Sequence, residues 1–72
     1  TPAAAVEAAL QHHRGVAPTE SPAATLYALP AGDEAIPVFR VTLPTLVPLG
    51  AISYFIDAET GALVWQRREY GR

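Results

Sequence analysis

The sequence predicts a two-layer α+β domain, with one N-terminal amphipathic helix packed on a four-stranded antiparallel sheet. Three observations lead there. An Ala-rich segment at residues 1–14 spaces its apolar side chains as a helix does. From Thr25 the pattern changes to two-residue alternation, and Gly, Pro and Asp signals divide the remainder into strand-length runs. A chain of 72 residues, half of them apolar and 17% charged, supports one modest core, is too short for a two-domain enzyme, and is too apolar for a disordered polar tail.

Thr1 suits the helix N-cap and Pro2 the first helical position, while Gly15 is the natural stop. Ala5, Val6, Ala9, Leu10 and, more weakly, His13 form a narrow apolar stripe, with Glu7, Gln11 and Arg14 elsewhere on the wheel. Residues 15–24, with Pro18 and Pro22 among small polar residues, read as a surface connection. A first strand runs to Pro30, and residues 31–34 turn the chain. The second strand, residues 38–43, sets Phe39, Val41 and Leu43 on one face and Val38, Arg40 and Thr42 on the other. Two prolines make residues 44–50 a loop that leaves Leu46, Val47 and Leu49 partly exposed. Residues 51–57 form the third strand, and residues 57–61 a tight turn in which Asp57 bonds backbone N–H groups and Gly61 takes positive φ. Residues 62–68 return as the fourth strand, with Leu63 and Trp65 on one face and Val64 and Gln66 on the other. The helix covers one sheet face, so whichever of Tyr27, Tyr54, Phe55, Trp65 and Tyr70 point away from it make a candidate contact surface.

Charge and chemistry narrow the function. All five basic residues are Arg, at 14, 40, 67, 68 and 72, against seven acids for a net charge of −2, which gives nucleic acid or an anionic membrane little to attract. Zero cysteine excludes disulfides, thiolate metal sites and a cysteine nucleophile. The apolar stretches are broken by Pro or Gly before reaching 18 residues, so membrane insertion is not expected. The N-terminus lacks the basic region and long apolar run of a signal peptide, which fits a mature segment or excised fragment. His12 and His13 are adjacent, about 100° apart on a helix, and cannot grip one metal together. Ser53, His13 and Asp57 are the types of a hydrolase triad, but Ser53 lies within a strand and lacks the Gly-flanked elbow that exposes a nucleophile. Asp57 and Glu59 read as turn residues in preference to an acid pair. No catalytic residue, cofactor, metal or small-molecule substrate is expected. Arg67, Arg68 and Arg72 gather near the C-terminus, where a contact with an acidic protein surface or a processing region competes with a solvated end.

The run Tyr54-Phe55-Ile56-Asp57-Ala58-Glu59-Thr60-Gly61-Ala62-Leu63-Val64 resembles the signature of PepSY-type domains in the propeptides of thermolysin-like and fungalysin-like metallopeptidases. In that family an aromatic-rich strand ends in Val-Asp-Ala, any residue, Thr-Gly; here Ile56 replaces the Val, and Ala62 stands where an acid is common. Leu26 to Pro30 is similar to the family's Leu-aromatic-x-x-Pro strand, and Val38-Phe39-Arg40-Val41 to the strand after it. The resemblance implies a cystatin-like fold, 1–72 as a single domain, with Asp57, Thr60 and Gly61 as its structural turn. It also implies a secreted, extracellular or periplasmic role within a precursor, as inhibitor and folding assistant of a zinc metallopeptidase whose catalytic domain is the partner. The zinc motif His-Glu-x-x-His is absent from this chain, as is the Gln-x-Val-x-Gly motif with which cystatins block cysteine proteases. Tyr54, Trp65, Arg67, Arg68 and Tyr70 are the expected partner-binding residues, being of the types that dominate interfaces. A free-standing PepSY-like or cystatin-like module regulating an envelope or extracellular enzyme is the alternative, and a small enzyme or ligand carrier would need a deep polar pocket.

Overall fold

The computed structural model describes residues 1–14, 18, 22–45 and 49–70, with Tyr70 described by its backbone alone. The elements run α1 (Pro2–His12), β1 (Ala24–Ala31), β2 (Glu34–Thr45), β3 (Gly50–Asp57) and β4 (Leu63–Tyr70). All four strands form one antiparallel sheet in the order β1-β2-β3-β4, so the α+β architecture of one N-terminal helix on four antiparallel strands is observed.

Thr1 caps α1 as expected, its Oγ1 accepting from the Ala4 N–H at 3.1 Å, and Pro2 begins the helix where a missing N–H costs nothing. The helix ends at His12, earlier than the stop read at Gly15, which lies outside the described residues. His13 leaves the helical track with φ −77° and ψ 136°, although its N–H still reaches the Ala9 carbonyl at 3.0 Å. The cause is tertiary. Its Nε2 donates to the Pro44 carbonyl at 2.8 Å, and its Nδ1 accepts from the Tyr54 hydroxyl at 2.9 Å, so the ring ties the end of α1 to two strands. Ala5 and Ala9 are buried against the sheet with Val6 and Ala8 beside them, small side chains that let helix and sheet approach closely. Leu10, read as part of this stripe, is 41% exposed, because it lies about 100° round the helix from Ala9 at the rim of the contact.

The helix covers the sheet face bearing Val41 and Leu43 of β2 and Ile52, Tyr54 and Ile56 of β3, with Ala24, Phe39 and Leu63 packed at the margin. Val41 stands opposite Tyr54, and Leu43 opposite Ile52, so the core is built from cross-strand pairs. Each such buried side chain stabilises the fold by about 1.5–3 kcal/mol relative to exposure. The strands are longer than the sequence suggested, and Pro44 lies inside β2, opposite Ala51. β1 pairs with β2 only as far as Val41, so beyond that point β2 has a neighbour on the β3 side alone, where a proline is tolerated. Leu49 is 71% exposed as expected of an apolar loop, while Leu46 and Val47 lie outside the described residues. β4 departs from simple alternation. Phe55 pairs with Trp65 and Ile56 with Leu63, leaving Val64 as the extra residue of a β-bulge, and so Leu63 and Trp65 fall on opposite faces, not the same one.

The turn after β3 has the predicted construction. Asp57 Oδ1 accepts from the N–H groups of Glu59 at 2.7 Å and Thr60 at 3.0 Å, and Thr60 Oγ1 accepts from Ala62 at 3.2 Å. Gly61 has φ +78° with open space where a Cβ would stand, so a side chain there meets strain and no clash. Gly61→Val is accordingly expected to cost about 1–3 kcal/mol, read as a lowered urea midpoint at unchanged slope. Coincident midpoints for the two proteins would contradict it.

Candidate functional site

The sheet face turned away from α1 is the candidate site. Period-two alternation sends Tyr27 of β1, Val38, Arg40 and Thr42 of β2, Ser53 and Phe55 of β3, and Trp65, Arg67 and Glu69 of β4 to this side. Phe55 is buried here at 2% exposure without help from the helix. Trp65 stacks on it with ring centroids 5.2 Å apart, Tyr27 leans against it at 5.9 Å, and Val38, directly opposite Tyr27 on the neighbouring strand, is fully buried on the same face. Tyr27 and Trp65 each remain 47% exposed, so the row presents two half-open aromatic rings braced by a closed one.

Beside the rings runs a polar network whose protons can be assigned. The buried Ser53 hydroxyl donates to the Glu69 carboxylate and so accepts from the Thr42 hydroxyl at 2.9 Å and from Arg40 Nε at 3.3 Å. Arg40 also donates to Glu69 at 2.8 Å, and Arg67 approaches the same carboxylate oxygen at 3.7 Å. The Ser53 and Arg40 hydrogen bonds, helped by the two guanidinium charges, hold the Glu69 carboxyl below its ordinary range against a smaller desolvation cost. Asp57 is lowered too, by the Thr60 and Glu59 backbone N–H groups. For both, the folded value lies under the unfolded one, so their stabilisation is fully present above the ordinary carboxylate range, from about pH 5 upward, and is lost as pH falls through the folded values. A urea midpoint that declines below about pH 5, and declines less in an Asp57→Asn, Glu69→Gln double variant, is the expected result. Parallel pH curves for the two proteins would remove these carboxylates from the account.

The residues expected to bind a partner divide among three places. Trp65 and Arg67 share the open face. Tyr54 does not: it is 2% exposed beneath α1, its hydroxyl engaged by His13 and its ring edge-on to the imidazole at 5.6 Å. Burial pushes its phenol above the ordinary value, and the Arg68 and Arg14 charges pull it partly back. Arg68, one residue from Arg67, points to the helix side opposite Ile52 and is exposed there. The Tyr70 side chain and Arg72 lie outside the described residues. Tyr27 and Phe55, two of the aromatics considered for a surface turned away from the helix, do lie on this face, and Arg40 and Glu69 join it although they were not among the expected contact residues. The alternation of Arg40 and the neighbour-to-neighbour order of the strands were legible, but the register that sets Arg40 and Glu69 side by side was not.

Triad geometry is absent. Ser53 is buried on the open face with Thr42, Arg40 and Glu69, while His13 is bound on the opposite face and Asp57 serves its turn. His12 is exposed, and among the described residues no three His, Cys, Asp or Glu side chains converge as metal ligands. No helix among them is long and apolar enough to cross a membrane. Comparison of the chain with protein-family models, with curated proteins and with solved structures finds no match.

Proposed function

We propose that this chain is a non-catalytic protein-binding domain of PepSY type and cystatin-like fold, acting as the pro-domain of a secreted zinc metallopeptidase. In that role it covers the catalytic cleft, assists folding of the enzyme, and travels with it as part of a precursor. The observation that carries the reading is the open face. Half-exposed Trp65 and Tyr27 share one sheet face with Arg67 and Arg40, and Trp, Tyr and Arg are the residues that most often dominate interface energetics. The Asp57–Thr60–Gly61 turn, which bears the family resemblance, supports the same reading through its hydrogen bonds and positive φ.

The reading requires the coding sequence to continue beyond Arg72 into a domain containing His-Glu-x-x-His. The purified chain is expected to inhibit that catalytic domain in trans and to raise its refolding yield. Trp65→Ala or Arg67→Ala should weaken inhibition about fivefold or more, equivalent to about 1 kcal/mol, whereas Arg68→Ala, on the other face, should have a smaller effect. Absence of both inhibition and improved refolding at tens of micromolar, where docking of about −6 to −7 kcal/mol would register, defeats the pro-domain reading and leaves the free-standing module.

A further inference from the structure

The two outer strands of the sheet are protected unequally. β4 carries Arg67, Arg68, Glu69 and the Val64 bulge, all of which discourage another strand from pairing with it. β1 has none of these. Its eight residues, Ala-Thr-Leu-Tyr-Ala-Leu-Pro-Ala, hold no charge, and Leu26 and Tyr27 are 64% and 47% exposed.

The direction of each backbone group on β1 follows from one hydrogen bond. Ala58 N–H donates to the Pro37 carbonyl at 2.9 Å, so Pro37 aims its backbone toward the β3 side and leaves its β1 partner Ala28 without a β2 hydrogen bond. The Pro44 carbonyl, seven residues on and of opposite parity, points away from β3 to reach His13, as the same alternation demands. Ala24, Leu26, Ala28 and Pro30 therefore aim their backbone groups outward, and Thr25, Tyr27, Leu29 and Ala31 bond to β2. Pro30 has no N–H to leave unpaired at its outward position.

We propose that β1 pairs antiparallel with β1 of a second copy of this chain across a two-fold axis at Leu26, joining two sheets into one. An outward position must face an outward position, and this register meets that condition: Leu26 faces itself, and Ala24 faces Ala28 of the other copy. Each of these three residues can exchange both backbone groups, with no proline in the ladder. Pro22 and Pro30 stand symmetrically, four residues to either side of Leu26, and end the pairing at both limits. Because β1 carries no charge, no like charges meet across the axis. Beside Pro22 lies an open, largely apolar hollow of about 410 Å³, lined by Pro2, Ala3, Val6, Pro22, Ala23 and Ala24. The register brings Pro30 of the second copy to this hollow, so the side chains beyond the ladder also have somewhere to pack. The axis runs perpendicular to the sheet, which puts both helices on one side and makes the two open faces continuous.

Sedimentation equilibrium of the chain is the test. At about 100 μM the wild type is expected to show twice the chain mass, and Leu26→Lys and Leu26→Glu each to weaken pairing at least tenfold, since each variant sets like charges face to face at the axis. Leu26 is exposed, so both variants should keep the wild-type near-UV circular dichroism. An equimolar mixture of the two should regain the doubled mass, because Lys then faces Glu only in the register proposed. A wild type that stays monomeric at about 1 mM, a dimer indifferent to Leu26→Lys, or a monomer whose β1 instead takes a strand from another protein would each overturn the proposal. None of these outcomes bears on inhibition through the open face.

Discussion

Tyr54→Ala is expected to destabilise the domain by about 3–5 kcal/mol, a large share of the roughly 5–15 kcal/mol that holds a typical folded domain. The ring is among the largest fully buried side chains, lies in the cluster with Ala5, Ala9, Val41 and Ile52, and anchors His13 at the end of α1. Truncation leaves a cavity directly between helix and sheet. Tyr54→Phe separates the two contributions, because it keeps the ring and deletes only the hydroxyl that donates to His13; a cost of about 1 kcal/mol is expected. Urea unfolding of both variants checks the pair. A Tyr54→Ala protein within 1 kcal/mol of wild type would remove the ring from the core, and a Tyr54→Phe protein equal to wild type would mean that the His13 bond contributes nothing net.

Phe55→Ala should cost nearly as much, about 3–5 kcal/mol, although Phe55 faces away from the helix. It is 2% exposed with Trp65 stacked on it and Tyr27 leaning against it, and Val38 opposite Tyr27 is fully buried on the same face, so the open face has a small core of its own. Trp65→Ala should cost only about 0.5–1.5 kcal/mol, the scale of one aromatic pair, since the indole is half in solvent already. The contrast separates a residue that holds the face together from one the face displays. Equal losses for the two variants in urea would make Trp65 a structural residue and weaken its role in binding.

The sequence by itself determined the parts that depend on neighbours along the chain. Thr1 and Pro2 begin a helix because they satisfy or remove N–H groups locally, and both act that way in the structure. The two-sided pattern of residues 38–43 determined which side chains of β2 meet α1, since alternation is a property of one strand. Asp57 and Gly61 determined their turn for the same reason: a carboxylate two and three residues before the amides it accepts, and a glycine where φ must be positive, are complete within five residues. Tertiary structure decided the rest. The helix ends early because His13 is held by Tyr54 and Pro44, partners far along the chain. Pro44 enters a strand because β1 stops short of it, which no local rule about proline could reveal. One bulged residue, Val64, sends Trp65 to the open face and Leu63 to the core. Arg40 and Glu69 meet only because β2, β3 and β4 lie side by side in one register. Capping, alternation and tight turns are short-range and can be read residue by residue; register, bulges and long-range hydrogen bonds arise from the competition among strand pairings, which is resolved only when the whole sheet closes against its helix.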